Sequence, residues 1–109
     1  MKYLAAFLTL FVSLNQTLAQ IESPESTFHA GTAAYSQGQL DEAVQKFLAF
    51  SEKNPNDARA HLNLSTIYSK QKKWGPAWAH FRKARAIDPQ LPGLSVLKDK
   101  LAENPLPAV

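Results

Sequence analysis

Cysteine is absent from the sequence. Disulfides, thiolate nucleophiles and cysteine-ligated metal are thereby excluded, and the redox state of the compartment cannot be read. Glycine is scarce. Gly31, Gly38, Gly75 and Gly93 are scattered, so no phosphate-cradling loop forms, and neither G-x-x-x-x-G-K-[ST] nor G-x-S-x-G occurs. Histidine is limited to His29, His61 and His80, outside any H-E-x-x-H motif and with no tight pair along the chain. Each reads as a structural or exposed side chain, so neither a metal site nor a cofactor is expected. Excess charge is also small. The net +3 falls to +2 once Lys2 is removed with the leader described next, too little to imply nucleic-acid binding. These absences together argue against an enzyme and against a small-molecule substrate.

Long apolar runs are missing except at the start. Lys2 precedes an apolar stretch from Tyr3 to about Leu14, and Thr17-Leu18-Ala19 follows with small residues suited to cleavage after Ala19. This is the anatomy of an export signal over residues 1–19. Its apolar core is short of the roughly 20 residues that span a bilayer. The expected mature chain is Gln20–Val109, exported into a bacterial periplasm. An uncleaved N-terminal membrane anchor is the alternative.

What the chain does have is a repeat. Displaced by 34 residues, Ala43 falls on Ala77, Phe47 on Phe81, Pro55 on Pro89, Thr32 on Thr66 and Gln37 on Gln71. Phe28/Leu62, Ala33/Ile67, Leu40/Trp74 and Asn54/Asp88 are similar pairs. Each unit reads as two helices. Ser23-Pro24-Glu25 opens the first with a cap, a proline at the first helical position and an acid at the positive end of the dipole. Gly38 ends that helix. Leu40, Ala43, Val44, Phe47 and Phe50 form one stripe of the next, which stops at Asn54-Pro55. In the second unit Asn56 or Asp57 caps, Leu64, Ile67 and Tyr68 face inward, and Gln71-Lys72-Lys73 turns. Trp74, Ala77, Trp78, Phe81 and Ala84 make the second stripe, which Asp88-Pro89 closes. The aromatics of this stripe read as core, and Arg82, Lys83 and Arg85 read as a solvated rim.

These residues resemble the tetratricopeptide repeat, a 34-residue helix–turn–helix unit. The first unit, residues 24–57, matches with Gly31, Gly38, Ala43, Phe47 and Pro55. The second, residues 58–91, matches with Leu64, Ser65, Tyr68, Ala77, Phe81, Ala84 and Pro89. It departs with His61 where tryptophan is common and Lys72 where the turn glycine stands. Leu94, Leu97 and Leu101 in residues 92–104 look like the helix that caps such arrays, and residues 105–109 form a tail. The expected fold is therefore all-α, two tandem helix-turn-helix units and a capping helix in a superhelix. The second unit is also similar to the repeat region of proteins from bacterial aerotolerance operons.

The resemblance implies a non-catalytic adaptor whose first helices line a concave groove for a protein or peptide partner in the cell envelope. The groove places in the first unit are Glu25, Phe28, His29, Thr32, Tyr35 and Ser36. In the second they are Arg59, Leu62, Asn63, Thr66, Ser69 and Lys70. Asn63 suits a peptide amide and Arg59 or Lys70 a carboxylate. Phe28 and Leu62 also suit packing between repeats. Lys70, Lys72, Lys73, Arg82, Lys83 and Arg85 support an alternative, contact with anionic envelope polymer or lipid headgroups. Two repeats are few for such an array, so a homodimer is a further expectation.

Overall fold

The structure, a computed structural model, describes residues 23–106. The export signal, residues 20–22 of the expected 20–23 linker and residues 107–109 of the tail lie outside the described residues. Among the described residues the elements are α1 (Pro24–Ser36), α2 (Leu40–Lys53), α3 (Ala58–Lys70), α4 (Trp74–Ile87) and α5 (Leu94–Ala102). The fold is all-α. Each helix packs on the next in chain order, and α5 also reaches α3. That nearest-neighbour arrangement is the architecture of a helical repeat.

The two hairpins are one backbone used twice. α3 starts and ends 34 residues after α1, and α4 does so after α2. Their turn bonds repeat as well. Gln37 N–H donates to the Ala33 carbonyl and Gln71 N–H to that of Ile67, both at 3.1 Å. Gln39 N–H donates to Ala34 and Lys73 N–H to Tyr68, both at 2.9 Å. The closing turns match too, with Asp57 N–H on the Asn54 carbonyl and Leu91 N–H on that of Asp88, each at 3.1 Å.

Local chemistry sets the helix ends. The Ser23 hydroxyl accepts from Ser26 N–H at 3.1 Å, and the Asp57 carboxylate accepts from Arg59 N–H at 3.1 Å. Each satisfies a donor that the first helical turn leaves open. Gly38 takes a left-handed φ of 77° after α1, and Lys72 takes 58° at the equivalent place after α3.

Two apolar clusters share α3. The first joins Ala34 of α1 and Ala43, Val44, Phe47 and Phe50 of α2 to Ala60, Leu64 and Ile67. The second joins Ala58 to Ala77, Phe81 and Ala84 of α4 and to Leu94, Leu97 and Leu101 of α5. Phe47, Phe50 and Phe81 are each 1% exposed. Burial of a phenylalanine ring stabilises by about 1.5–3 kcal/mol, so these three dominate the cores. Ala43 and Ala77 are fully buried, and their small side chains let neighbouring helices approach. Gly31 does the same for α1, since a β-carbon there would stand 2.8 Å from two atoms of the Phe47 ring.

The stripe read for α4 is buried unevenly. Phe81 is enclosed, whereas Trp74 and Trp78 are half-buried and Ile87 is 36% exposed. Trp78 instead works at its edge. Its ring meets Phe81 at 88°, and its indole N–H donates to the Asn104 carbonyl at 3.1 Å, tying the end of α5 back to α4.

Candidate functional site

The twelve residues expected along the groove fall into different environments. Thr32, Tyr35, Asn63 and Thr66 come together. With Phe47 and Ile67 they line a cavity of about 70 Å³ between α1 and α3. Phe47 and Ile67, both 1% exposed, supply its apolar wall. The two threonines turn their hydroxyl donors back on their own helices, Thr32 to the His29 carbonyl at 2.9 Å and Thr66 to that of Leu62 at 3.0 Å. Such bonds hide a hydroxyl and present its methyl. Among the described residues, Asn63 and Tyr35 make no side-chain hydrogen bond, and their polar atoms reach solvent. Both are half-buried. The Lys70 ammonium stands 5.5 Å above the Tyr35 ring, at one end of this cavity, and Lys70 is exposed.

Glu25, Phe28 and Arg59 form a separate cluster. The Arg59 guanidinium reaches Glu25 at 2.9 Å and Asp57 at 2.7 Å, and lies 4.3 Å over the Phe28 ring. Hydrogen bonds donated to Asp57 and then to Glu25 hold the guanidinium protonated well above its ordinary range. Arg59 in turn lowers the pKa of both carboxyls. Glu25 is fully solvated, so its pair is screened and adds little to stability. Phe28 packs edge-on against Phe47 and Phe50, each at 5.4 Å. Arg59 is thus committed within the chain rather than held out for a ligand carboxylate, and Phe28 packs within the first hairpin with Arg59 of the second laid over its ring.

Four more residues stand apart from the cavity. Ser69 is buried, 3% exposed, and its hydroxyl donates to the Ser65 carbonyl at 2.8 Å. This corrects its expected place on the groove surface. Leu62 packs into the second cluster and lies against Gly93 at the start of α5. Ser36 is exposed with its hydroxyl on the Thr32 carbonyl at 3.0 Å, and His29 is exposed on α1.

The six bases of the anionic-contact alternative, Lys70, Lys72, Lys73, Arg82, Lys83 and Arg85, are all exposed. Arg85 lies 5.3 Å over the Phe81 ring. A larger depression of about 780 Å³ opens between the closing loops, lined by Asn54–Arg59, Ile87, Asp88 and Leu91. Most of its polar side chains are already engaged, although among the described residues the exposed Asn56 carboxamide is not. Asn54 donates to the Phe50 carbonyl, Asp57 is held by Arg59, and Asp88 accepts from Gln90 N–H. The α1/α3 cavity, with free amide and phenol, is the better ligand site.

Two histidines far apart in sequence meet in the fold. His61 of α3 and His80 of α4 approach with their Nδ1 atoms 3.0 Å apart. The ring centres are 5.3 Å apart and the planes 20° apart. That separation exceeds the N···N contact by about one ring diameter, so the rings meet edge to edge rather than face to face. Two imidazoles sharing one ion along such a line would stand about 4 Å apart, given metal–nitrogen bonds near 2 Å. At 3.0 Å the contact is an N–H···N hydrogen bond, one ring donating and the other accepting. Burial pushes both rings' pKa down, that of His80 to about 4, where the charges of His61 and Lys83 add to the effect. Among the described residues no three His, Asp or Glu gather as a metal site would require. None of these residues forms an arrangement of nucleophile, base and orienting group.

No protein-family model matches the chain, and no curated protein matches it. Among the described residues no helix is long and apolar enough to cross a membrane.

Proposed function

We propose that this chain is an exported, non-catalytic adaptor of tetratricopeptide type. It binds an extended peptide segment of an envelope protein between α1 and α3. The observation that carries this reading is the pair of free polar groups, the Asn63 carboxamide and the Tyr35 hydroxyl, beside an apolar-walled cavity of about 70 Å³. A carboxamide offers a donor and an acceptor together, which matches a peptide bond. The cavity takes a small aliphatic side chain, and the exposed Lys70 at its end favours an acidic neighbour in the ligand. The 34-residue register and the tetratricopeptide resemblance support the same reading.

Selection from a displayed peptide library by residues 20–109 tests it. The expected peptides share a small aliphatic residue, and Asn63→Ala lowers their affinity tenfold or more, about 1.4 kcal/mol. Equal binding by Asn63→Ala moves the site elsewhere. The alternative, a basic surface for anionic polymer or lipid, is favoured by one observation: none of its six cations is ion-paired among the described residues. Retention on anionic vesicles that is lost with added salt, and lost on reversing Lys83 and Arg85, supports that alternative instead.

A further inference from the structure

We propose that the His61–His80 bridge is a proton-operated latch on the second hairpin. It closes α3 onto α4 while the rings share one Nδ1 hydrogen, and it opens when each ring carries its own. The geometry forces this behaviour. With both rings neutral, one Nδ1–H donates across 3.0 Å to the lone pair of the other Nδ1. A first added proton goes to Nε2 of the donor ring. The bridge survives and becomes a charge-assisted bond. A second proton must go to the accepting Nδ1, because the Nε2 of that ring already carries its hydrogen. Two N–H groups then face each other with no acceptor, on two cations, and the rings separate.

The surroundings bear on where this happens. His61 is 8% exposed and His80 is half-buried, its ring 5.7 Å from that of Tyr68 and 18° from parallel. Lys83, on the same helix as His80, disfavours the added charge. Asp57 at the start of α3 favours charge on His61. Glu52 of α2 and Lys83 line an open cleft of about 440 Å³ that reaches His61. Protons therefore have a path from solvent to that ring.

The sign follows from the depressed values. In the unfolded chain each histidine titrates near 6.5. The folded bridge resists its second proton, and burial holds the pKa of His80 down to about 4. Its stabilisation is complete above about pH 6.5 and is lost progressively as pH falls towards 4. Within that window the unfolding equilibrium constant rises by up to tenfold per pH unit for the refused proton.

Nitrogen NMR of the imidazoles in residues 20–109 tests the latch directly. At pH 7.5 one Nδ1 is expected at a protonated shift and its partner at an unprotonated one, with a through-hydrogen-bond N–N coupling between His61 and His80. At acid pH both Nδ1 shifts become protonated and the coupling disappears. Two rings titrating independently near 6.5, with no coupling at any pH, overturn the proposal. Stability measured from pH 7.5 to 4 gives the second readout. His80→Phe keeps a ring beside Tyr68 but removes the nitrogens, and is expected to flatten this pH dependence. An unchanged slope in that variant also overturns it. Should the variant fail to fold, the wild-type NMR titration still decides.

Discussion

Gly38 and Lys72 stand 34 residues apart in the same left-handed conformation, with φ of 77° and 58°. Each donates its N–H at 3.0 Å, to Tyr35 and Ser69 respectively. Glycine reaches that region freely, whereas a side chain costs about 1–2 kcal/mol there. Part of the gain from glycine is offset by its greater freedom in the unfolded chain. Lys72→Gly is therefore expected to stabilise the fold by about 0.5–1 kcal/mol. Gly38→Ala is expected to destabilise it by a similar amount through backbone strain alone, because nothing lies within 4 Å of the added carbon. Urea midpoints of the two variants check both signs.

Gly31 meets Phe47 in a different way. An added β-carbon would approach two ring atoms at 2.8 Å, and that ring is 1% exposed and braced edge-on by Phe28. Overpacking of this kind costs about 1–3 kcal/mol, more than the roughly 1 kcal/mol that alanine gains over glycine in a helix. Gly31→Ala should lower stability. Combined with Phe47→Leu, which withdraws the clashing atoms, it should cost less than the sum of the two single changes. Additive costs in that double-mutant cycle contradict the contact.

Arg59 gives the chain a second acid-sensitive element, distinct from the histidine latch. It depresses the pKa of Asp57 and Glu25, chiefly through the hydrogen bonds it donates. Carboxyls depressed in the fold stabilise it above their ordinary range near 4, and that contribution is lost as pH falls below it. Arg59→Ala is expected to flatten the stability profile below about pH 4 while leaving the region from 6.5 to 4 unchanged. The effect should shrink with added salt, since Arg59 and Glu25 are 40% and 62% exposed at their side chains. A profile unchanged at low pH contradicts the pairing.

The helices and their period were legible because burial alternated in a way sequence carries. Ala43 and Ala77 are fully buried, Phe47 and Phe81 1% exposed, and each pair recurs at the 34-residue displacement. Leu94, Leu97 and Leu101 were likewise readable as one buried face. The site was less legible because side-chain polarity misleads inside a helix. Ser69 looks like a surface residue, yet its bond to the carbonyl four residues back satisfies its hydroxyl and lets it be buried. The fate of Arg59 depends on Glu25 and Asp57 together, which no spacing rule for a single helix pairs. The histidine bridge left a trace that periodicity alone does not expose. Ser65 and Ala77, joined by a 2.7 Å bond, are equidistant from Gln71, and His61 and His80 are nearly so. Folding a hairpin about its turn brings such residues face to face.

Amide chemical-shift mapping with a library-selected peptide tests the central claim of a binding groove most directly. Binding is expected to shift Tyr35, Asn63, Thr66 and Lys70, to leave Lys83 and Arg85 in place, and to weaken tenfold or more in Asn63→Ala. Shifts confined to Lys72, Lys73, Arg82, Lys83 and Arg85, with the α1/α3 cavity silent, would contradict it.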